Sequence, residues 1–430
     1  MSIWSGADFA AWGLAMSIAA IAPLLSVNLS NVVTRRLVEA RHSLHDATAT
    51  AIVLAGRRIG WGLTSAAFIT LFSAGAWIQG WSSLNALTAN KFLILLIILL
   101  LTNSWLLLWQ VRFGQFFAEE RNWIPALIFA CARAGGLLGM LSVVALGNRN
   151  LIQVALGIFA GTWLTLITTR WALTRLRLVD SCGCIPTNLE IRVQLWCNLR
   201  ILYGFAFGTA SSLIVQYSIP PLIAIIEPQL FSSFYLAGIL NSLAIGVLSS
   251  AMSALLAPFA RWHTTGSTQA LNRIGLFSPA VCAGMCLSVL CLCWFTLEFA
   301  LNLLSPRSVH INDVRLFLAL LGLQAIVRTA AAGFATYVSS AGTSRQMAIP
   351  LLIEIVLTLT VAVPLGWLFG VHSMLLGLTF AALIGSQFSS IAFAALCKPA
   401  RITSRVAFAS LLSAQLVGAA LWWLIVSTIG

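Results

Sequence analysis

The chain has 430 residues, 60% of them hydrophobic and only 8% charged, with a mean hydropathy of +0.97 and a formal net charge of +13 at pH 7. These values exclude a water-soluble globular domain and point to a polytopic membrane protein. A helix needs about 20 apolar residues to cross the hydrocarbon core. Twelve stretches qualify in chain order: 9–34, 60–78, 92–110, 123–146, 151–169, 201–226, 231–257, 276–303, 316–339, 347–369, 371–395 and 406–427.

Every second connection between them is basic. One set holds Arg35, Arg36, Arg41, Arg57 and Arg58, then Arg112 and Arg121, then Arg170, Arg175, Arg177, Arg192 and Arg200. It continues with Arg261 and Arg273, Arg345, and finally Lys398, Arg401 and Arg405. The intervening connections hold only Lys91, Arg149, Arg307 and Arg315. Basic flanks stay on the cytoplasmic side, so the first set is read as cytoplasmic and both ends of the chain as outward-facing. Anionic lipid headgroups account for the net charge. No connection combines a basic run with interleaved aromatics, so nucleic acid is not expected as a partner. Tryptophans near span ends, such as Trp81, Trp109, Trp123 and Trp171, suit interfacial belts. The first residues lack a basic n-region, so no removable signal peptide is expected.

The longest connections, 35–58 and 170–200, are too short for a folded domain, and no Walker A sequence occurs, which excludes a fused ATPase. Carboxylates and histidines in the outward connections amount to Glu227, His310 and Asp313, too few for acid–base work, so the chain is not read as an enzyme. The nine cysteines are odd in number, and Cys182 and Cys184 fall in a cytoplasmic connection. No disulfide framework, metal site or cofactor is expected.

Residues 9–40 match residues 231–262 at an offset of 222: Phe9-Ala-Ala-Trp-Gly-Leu-Ala15 lies over Phe231-Ser-Ser-Phe-Tyr-Leu-Ala237. Ala155-Leu-Gly157 lies over Leu375-Leu-Gly377 at nearly the same offset. This predicts duplicated helical lobes, an N-terminal lobe at 1–175 and a C-terminal lobe at 195–397, with an extra helix at 404–430. The stretch 201–226 precedes the second copy, and its partner would fall before Met1, so the first lobe is expected to lack its opening helix.

Charge inside the spans is sparse and informative, because a charged side chain at the bilayer centre costs about 2.5–3.5 kcal/mol on insertion scales. Arg133 lies mid-span beside Gly135-Gly-Leu-Leu-Gly139, a small-xxx-small pattern. Arg328 lies mid-span on an i, i+4 stripe with Gln324, Ala332 and Thr336. Glu354 stands just inside the cytoplasmic end of one span, and Glu298 stands toward the outer end of another. Each acid could bind a coupling proton or cation, or pair with an arginine.

With its run Phe9-x-x-Trp12-x-Leu14-Ala15 followed by 29–36, its Tyr235-x-Ala237 and Pro258, and Glu354 followed by Gly370 and Gly377, the chain resembles the polysaccharide flippases. These are the O-antigen and exopolysaccharide transporters of the multidrug/oligosaccharidyl-lipid/polysaccharide exporter superfamily. The resemblance implies an all-α protein with two lobes around a central cavity. By alternating access it would carry an undecaprenyl-diphosphate-linked oligosaccharide to the outer leaflet of the bacterial inner membrane. Implied partners are that lipid-linked substrate and membrane lipids, and could include a polysaccharide polymerase and a chain-length regulator. Arg133 and Arg328, with Gln324, would then contact the diphosphate, since guanidinium binds phosphate oxygens bidentately. Glu354, at a position often acidic in the family, and Glu298 would serve ion coupling. Many family members carry an acid before the tyrosine matching Tyr235; here Gln216-Tyr-Ser-Ile-Pro-Pro221 has none. Three alternatives stand beside this reading: a multidrug or cation antiporter of the same superfamily, a non-transporting subunit of a polysaccharide assembly complex, and a membrane-embedded glycan enzyme.

Overall fold

The computed structural model describes residues 6–429 apart from 20, 43–45, 82–85, 122, 148–149, 176–185, 218, 299–309 and 398–403. Regular structure in the described residues is helical throughout, as hydrocarbon demands: each backbone polar group must be satisfied within its own segment. The helices are α1 (Gly6–Ala19), α2 (Ile21–His42), α3 (Asp46–Trp81), α4 (Ala86–Ala118), α5 (Trp123–Ala145), α6 (Leu151–Arg175), α7 (Asn188–Tyr217) and α8 (Ile219–Ile226). They continue as α9 (Phe231–Thr264), α10 (Thr268–Phe295), α11 (Ile311–Ala330), α12 (Ala332–Ala341), α13 (Ser344–Leu357), α14 (Val363–Phe369), α15 (Val371–Leu396) and α16 (Ser404–Ile429). The chain divides into two compact units, Ile3–Tyr203 and Gly204–Gly430.

Among the described residues, nine helices are long and apolar enough to cross a membrane, or ten if α11 and α12, bent by 41°, count as one span. The apolar stretch 9–34 is carried by α1 and α2 on either side of residue 20, and the stretch 201–226 by α7 and α8 on either side of residue 218. Cys182, Cys184, Arg177, Arg307, Lys398 and Arg401 lie outside the described residues, as does the side chain of Gln216. At the basic ends several helices outrun the apolar stretches. With 36 and 33 residues, α3 and α4 are about 54 and 50 Å long, against a hydrocarbon core of about 30 Å. Arg57, Arg58 and Arg112, expected in connections, therefore stand on helical stems.

In the first unit α5 and α6 meet backbone to backbone. A Cβ on Gly139 would lie 2.0 Å from the Gly157 carbonyl oxygen, and one on Gly161 would lie 2.1 Å from that of Gly135. Two small-residue ridges thus interlock, giving the dispersion contact that lipid solvation leaves as the main source of helix association. On the other flank, Trp105, Trp109, Phe113 and Phe116 of α4 bury against Ile124 and Ile128 of α5 and Leu166 of α6. Phe129 stacks on Phe113 at 5.4 Å and meets Trp105 edge-on at 5.6 Å. The start of α7 joins this unit through Ile191, which packs on Ala51 and Ala55, and through Gln194, which accepts a 2.7 Å hydrogen bond from Arg36.

The second unit is built around α11, whose Phe317, Leu318, Ile326 and Ala330 are fully buried. The C-terminal helix α16 is tied into this core. Its Trp422 donates to the Ala319 carbonyl at 2.8 Å and meets Trp294 edge-on. Its Gln415 donates to the Val327 carbonyl at 2.8 Å and to Ser386 Oγ at 2.7 Å, and accepts from Gln387 at 2.6 Å. Across the connection before α15, Glu227 Oε1 accepts from the Val371 N–H at 3.1 Å, a carboxylate on a helix N-terminus.

Candidate functional site

Arg328 and Glu354, assigned separately to substrate and to coupling by the sequence, are brought together. Arg328 stands in the last turn of α11, where the helix dipole favours a cation. Its Nε donates to Glu354 Oε1 at 2.8 Å, and its terminal Nη2 donates to the same oxygen. The two side chains are 16% and 9% exposed, so water does little to screen the pair. Glu354 is held there by α15: a Cβ on Gly385 would lie 2.9 Å from the Glu354 Cβ, so only glycine admits this approach.

Each member of the pair adjoins a helix irregularity. One turn after Arg328, the Ala331 N–H bonds to the Arg328 carbonyl at 3.1 Å, an i−3 closure, and the helix bends by 41° into α12. The expected i, i+4 stripe is thereby corrected. Gln324 and Arg328 share α11, whereas Ala332 and Thr336 belong to α12 beyond the bend. One turn after Glu354, residues Thr358–Ala362 form a π-helical turn inside the span that ends with α14. Thr358 is 2% exposed, and its hydroxyl has no partner among the described residues. Such turns inside α-helices are found frequently at functional sites.

The remaining candidates stand apart from this pair. Gln324 is buried one turn before Arg328. Arg133 belongs to α5 in the first unit, on the exposed face it shares with Leu137, Leu138 and Leu141. Glu298 lies past the end of α10, exposed, with Arg315 at 2.7 Å. That is a surface ion pair of small worth.

The polar groups that sequence reasoning passed over are uncharged. Ser386, Gln387 and Gln415 form the buried network described above, and Gln387 Oε1 has no partner among the described residues. In α9 the buried Asn241 Oδ1 is likewise unpaired. Buried amides in apolar spans are a legible signal, since they glue helices or face something polar. Near the basic end of the second unit, His263 Nδ1 and the Tyr337 hydroxyl are 2.8 Å apart. Among the described residues, no three His, Cys, Asp or Glu side chains converge as metal ligands would.

No protein-family model matches the sequence, and no curated protein does. The fold, however, is shared with solved transporters. A MATE protein in complex with MaL6 superposes with a TM-score of 0.68 at 14% identity, over 92% of this chain and 90% of that one. A multidrug resistance MATE family transporter of the MOP superfamily in its inward-facing conformation gives 0.68 at 15% identity, over 91% and 92%. A MOP superfamily transporter from Pyrococcus furiosus, described with a binding pocket of reversed polarity that suggests a different function, gives 0.66 at 14% identity, over 96% and 88%. The chain therefore has the all-helical fold of the MATE transporters.

Proposed function

We propose that this protein is a flippase-type transporter, moving an anionic, diphosphate-linked oligosaccharide lipid outward across the bacterial inner membrane by alternating access of its two helical units. The observation that supports this cargo is the charge balance of the spans. Among the described residues, Glu354 is the one carboxylate inside the nine helices long and apolar enough to cross a membrane, and Arg328 neutralises it. Arg133 adds a cation in the middle of α5, on an exposed helix face. Spans with this balance favour phosphate oxygens, which guanidinium binds bidentately. Among the described residues they hold no second carboxylate for a cationic drug. A diphosphate with about two negative charges travels outward down the membrane potential, which is worth about 2.3 kcal/mol per charge per 100 mV. Weak ion coupling therefore suffices, with Glu354 the candidate for it as the units change state. The Pyrococcus furiosus protein, with its pocket of reversed polarity, supports the idea that this fold accommodates more than one sign of cargo.

Cation antiport is the second reading, because other proteins of this fold are described as multidrug transporters. In that case Glu354, once freed from Arg328, would take the cation. Proteoliposomes separate the two. A fluorescent polyprenyl-diphosphate oligosaccharide should become accessible to an impermeant quencher in a protein-dependent way, with no effect on a cationic dye. Dye efflux driven by a proton gradient, without lipid movement, would establish the antiporter.

A further inference from the structure

Two helices of the second unit, α10 and α16, run parallel. Ser410 Oγ donates to the Leu276 carbonyl at 2.9 Å, a Cβ on Gly418 would lie 3.7 Å from the Ala283 Cβ, and the Trp422 ring meets that of Trp294 at 5.6 Å. The contacts thus advance along both helices in the same direction. Gln415 and Trp422 turn another face of α16 into the core of the unit. Between the two helices an open groove of about 270 Å³ remains, lined by Ala280, Ala283 and Gly284 of α10 and by Ala414 and Gly418 of α16, with Leu287 and Leu421 toward one end. Both walls belong to helices long and apolar enough to cross a membrane.

Small residues in a span ordinarily let two backbones approach. Gly284 does not serve that purpose: a Cβ there would meet nothing within 4 Å, although glycine inside a helix is destabilising relative to alanine. The groove is also headed by a cation. Arg273, Leu276, Ala280, Gly284 and Leu287 follow one another at i, i+3, i+7, i+11 and i+14, a single helix face. Arg273 is exposed and has no ion pair among the described residues. From Arg273 to Phe295, the last residue of α10, the helix runs about 33 Å, one hydrocarbon thickness, so the arginine stands at the edge of the core and the groove inside it. Residues 276–287 cover about 17 Å, close to the 15 Å or so of a single leaflet.

We propose that this groove holds one acyl chain of an anionic phospholipid, with the lipid phosphate on Arg273. The chain supplies the dispersion contacts that Gly284 lacks, and guanidinium binds phosphate oxygens. A second copy of the protein suits the groove less well. A two-fold partner using the same face would bring its own Arg273 to the same depth, setting like charges against each other. The inference holds whichever cargo the protein carries.

The test is photo-crosslinking of the full-length protein in phosphatidylcholine nanodiscs that carry a minor share of phosphatidylglycerol with a diazirine in its acyl chain, followed by peptide mapping. Crosslinks should concentrate on residues 276–287 and 410–421, above the level on the exposed face of α5, and unlabelled phosphatidylglycerol should compete for them better than phosphatidylcholine does. Gly284→Leu, at a position whose Cβ meets no neighbour, should fill the groove and reduce these crosslinks to the α5 level. Gly62→Leu, equally open on α3, should leave them unchanged. Arg273→Gln should keep the crosslinks but cut the preference for phosphatidylglycerol about fivefold, the worth of one basic residue near an anionic surface. Labelling of α10 and α16 no stronger than that of α5, or unaltered by Gly284→Leu, overturns the proposal. So does a dimer, seen by light scattering, that Gly284→Leu dissociates, since the groove would then belong to a second copy. A matching thermal melt excludes loss of fold in Gly284→Leu, and Ser413→Leu, at a second exposed groove position, repeats the test should the melts differ.

Discussion

Arg328 and Glu354, 26 residues apart in sequence, share a single carboxylate oxygen in the interior of the second unit, each one turn from a break in helix regularity. Removing one partner of a buried pair leaves the other charged and unsolvated, at about 3–5 kcal/mol. Arg328→Ala and Glu354→Ala should each lower the thermal midpoint of the detergent-solubilised protein markedly. A double variant, Arg328→Met with Glu354→Leu, should recover most of the loss. Additive losses in the double variant would show that the two do not act as a pair.

The α5–α6 seam gives the sharpest steric prediction. Gly139→Ala places a methyl group 2.0 Å from the Gly157 carbonyl oxygen, and neither backbone can step aside. Overpacking of this kind costs about 1–3 kcal/mol or more. The control is Gly62→Ala, where a Cβ meets nothing within 4 Å on an exposed helix face. That change should be neutral or stabilising by about 0.5–1 kcal/mol. Thermal melts and membrane yield should therefore fall for Gly139→Ala and hold or rise for Gly62→Ala.

Gly370 has φ +86, and a Cβ there would lie 2.7 Å from Glu227 Oε1. Gly370→Ala should destabilise through backbone strain of about 1–3 kcal/mol at a positive φ with extended ψ, together with displacement of the capping carboxylate. Glu227→Ala loses only the cap, about 1 kcal/mol. A melting series should rank Gly370→Ala below Glu227→Ala.

Gln415 and Trp422 anchor α16. Gln415→Leu strands the Val327 carbonyl, Ser386 and Gln387, an expected loss of about 1–3 kcal/mol. Trp422→Ala opens a cavity beside Gly322 and should cost about 3–5 kcal/mol. Limited proteolysis should then release the C-terminal helix. Melts unchanged in both variants would mean that α16 is dispensable to the unit.

Much of this architecture is legible in composition. Apolar stretches mark the helices, and 123–146, 371–395 and 406–427 agree with α5, α15 and α16 to within about two residues, inside the usual error of boundaries. What escapes is what hydropathy does not encode. Arg57 and Arg112 read as connection residues because the helices that carry them, α3 and α4, run on past the most apolar stretches of sequence. The bend at Ala331 and the π turn at Thr358 lie within stretches that each read as one continuous span, where i−3, i−4 and i−5 hydrogen bonding look alike. Gly135-x3-Gly139 was readable as a close-packing ridge, but its partner, Gly157-x3-Gly161, is fixed by which helix lies opposite. Likewise Arg328 and Glu354 each stand out as intramembrane charges, while their pairing depends on how α11, α13 and α15 pack.

The central claim is outward movement of a lipid-linked oligosaccharide, and cells lacking the gene test it most directly. Mass spectrometry of their lipids should show the complete repeat unit accumulating on its carrier lipid, with surface polysaccharide lost, and both defects should be restored by this chain but not by Glu354→Ala. Normal surface polysaccharide and no accumulation would contradict the account.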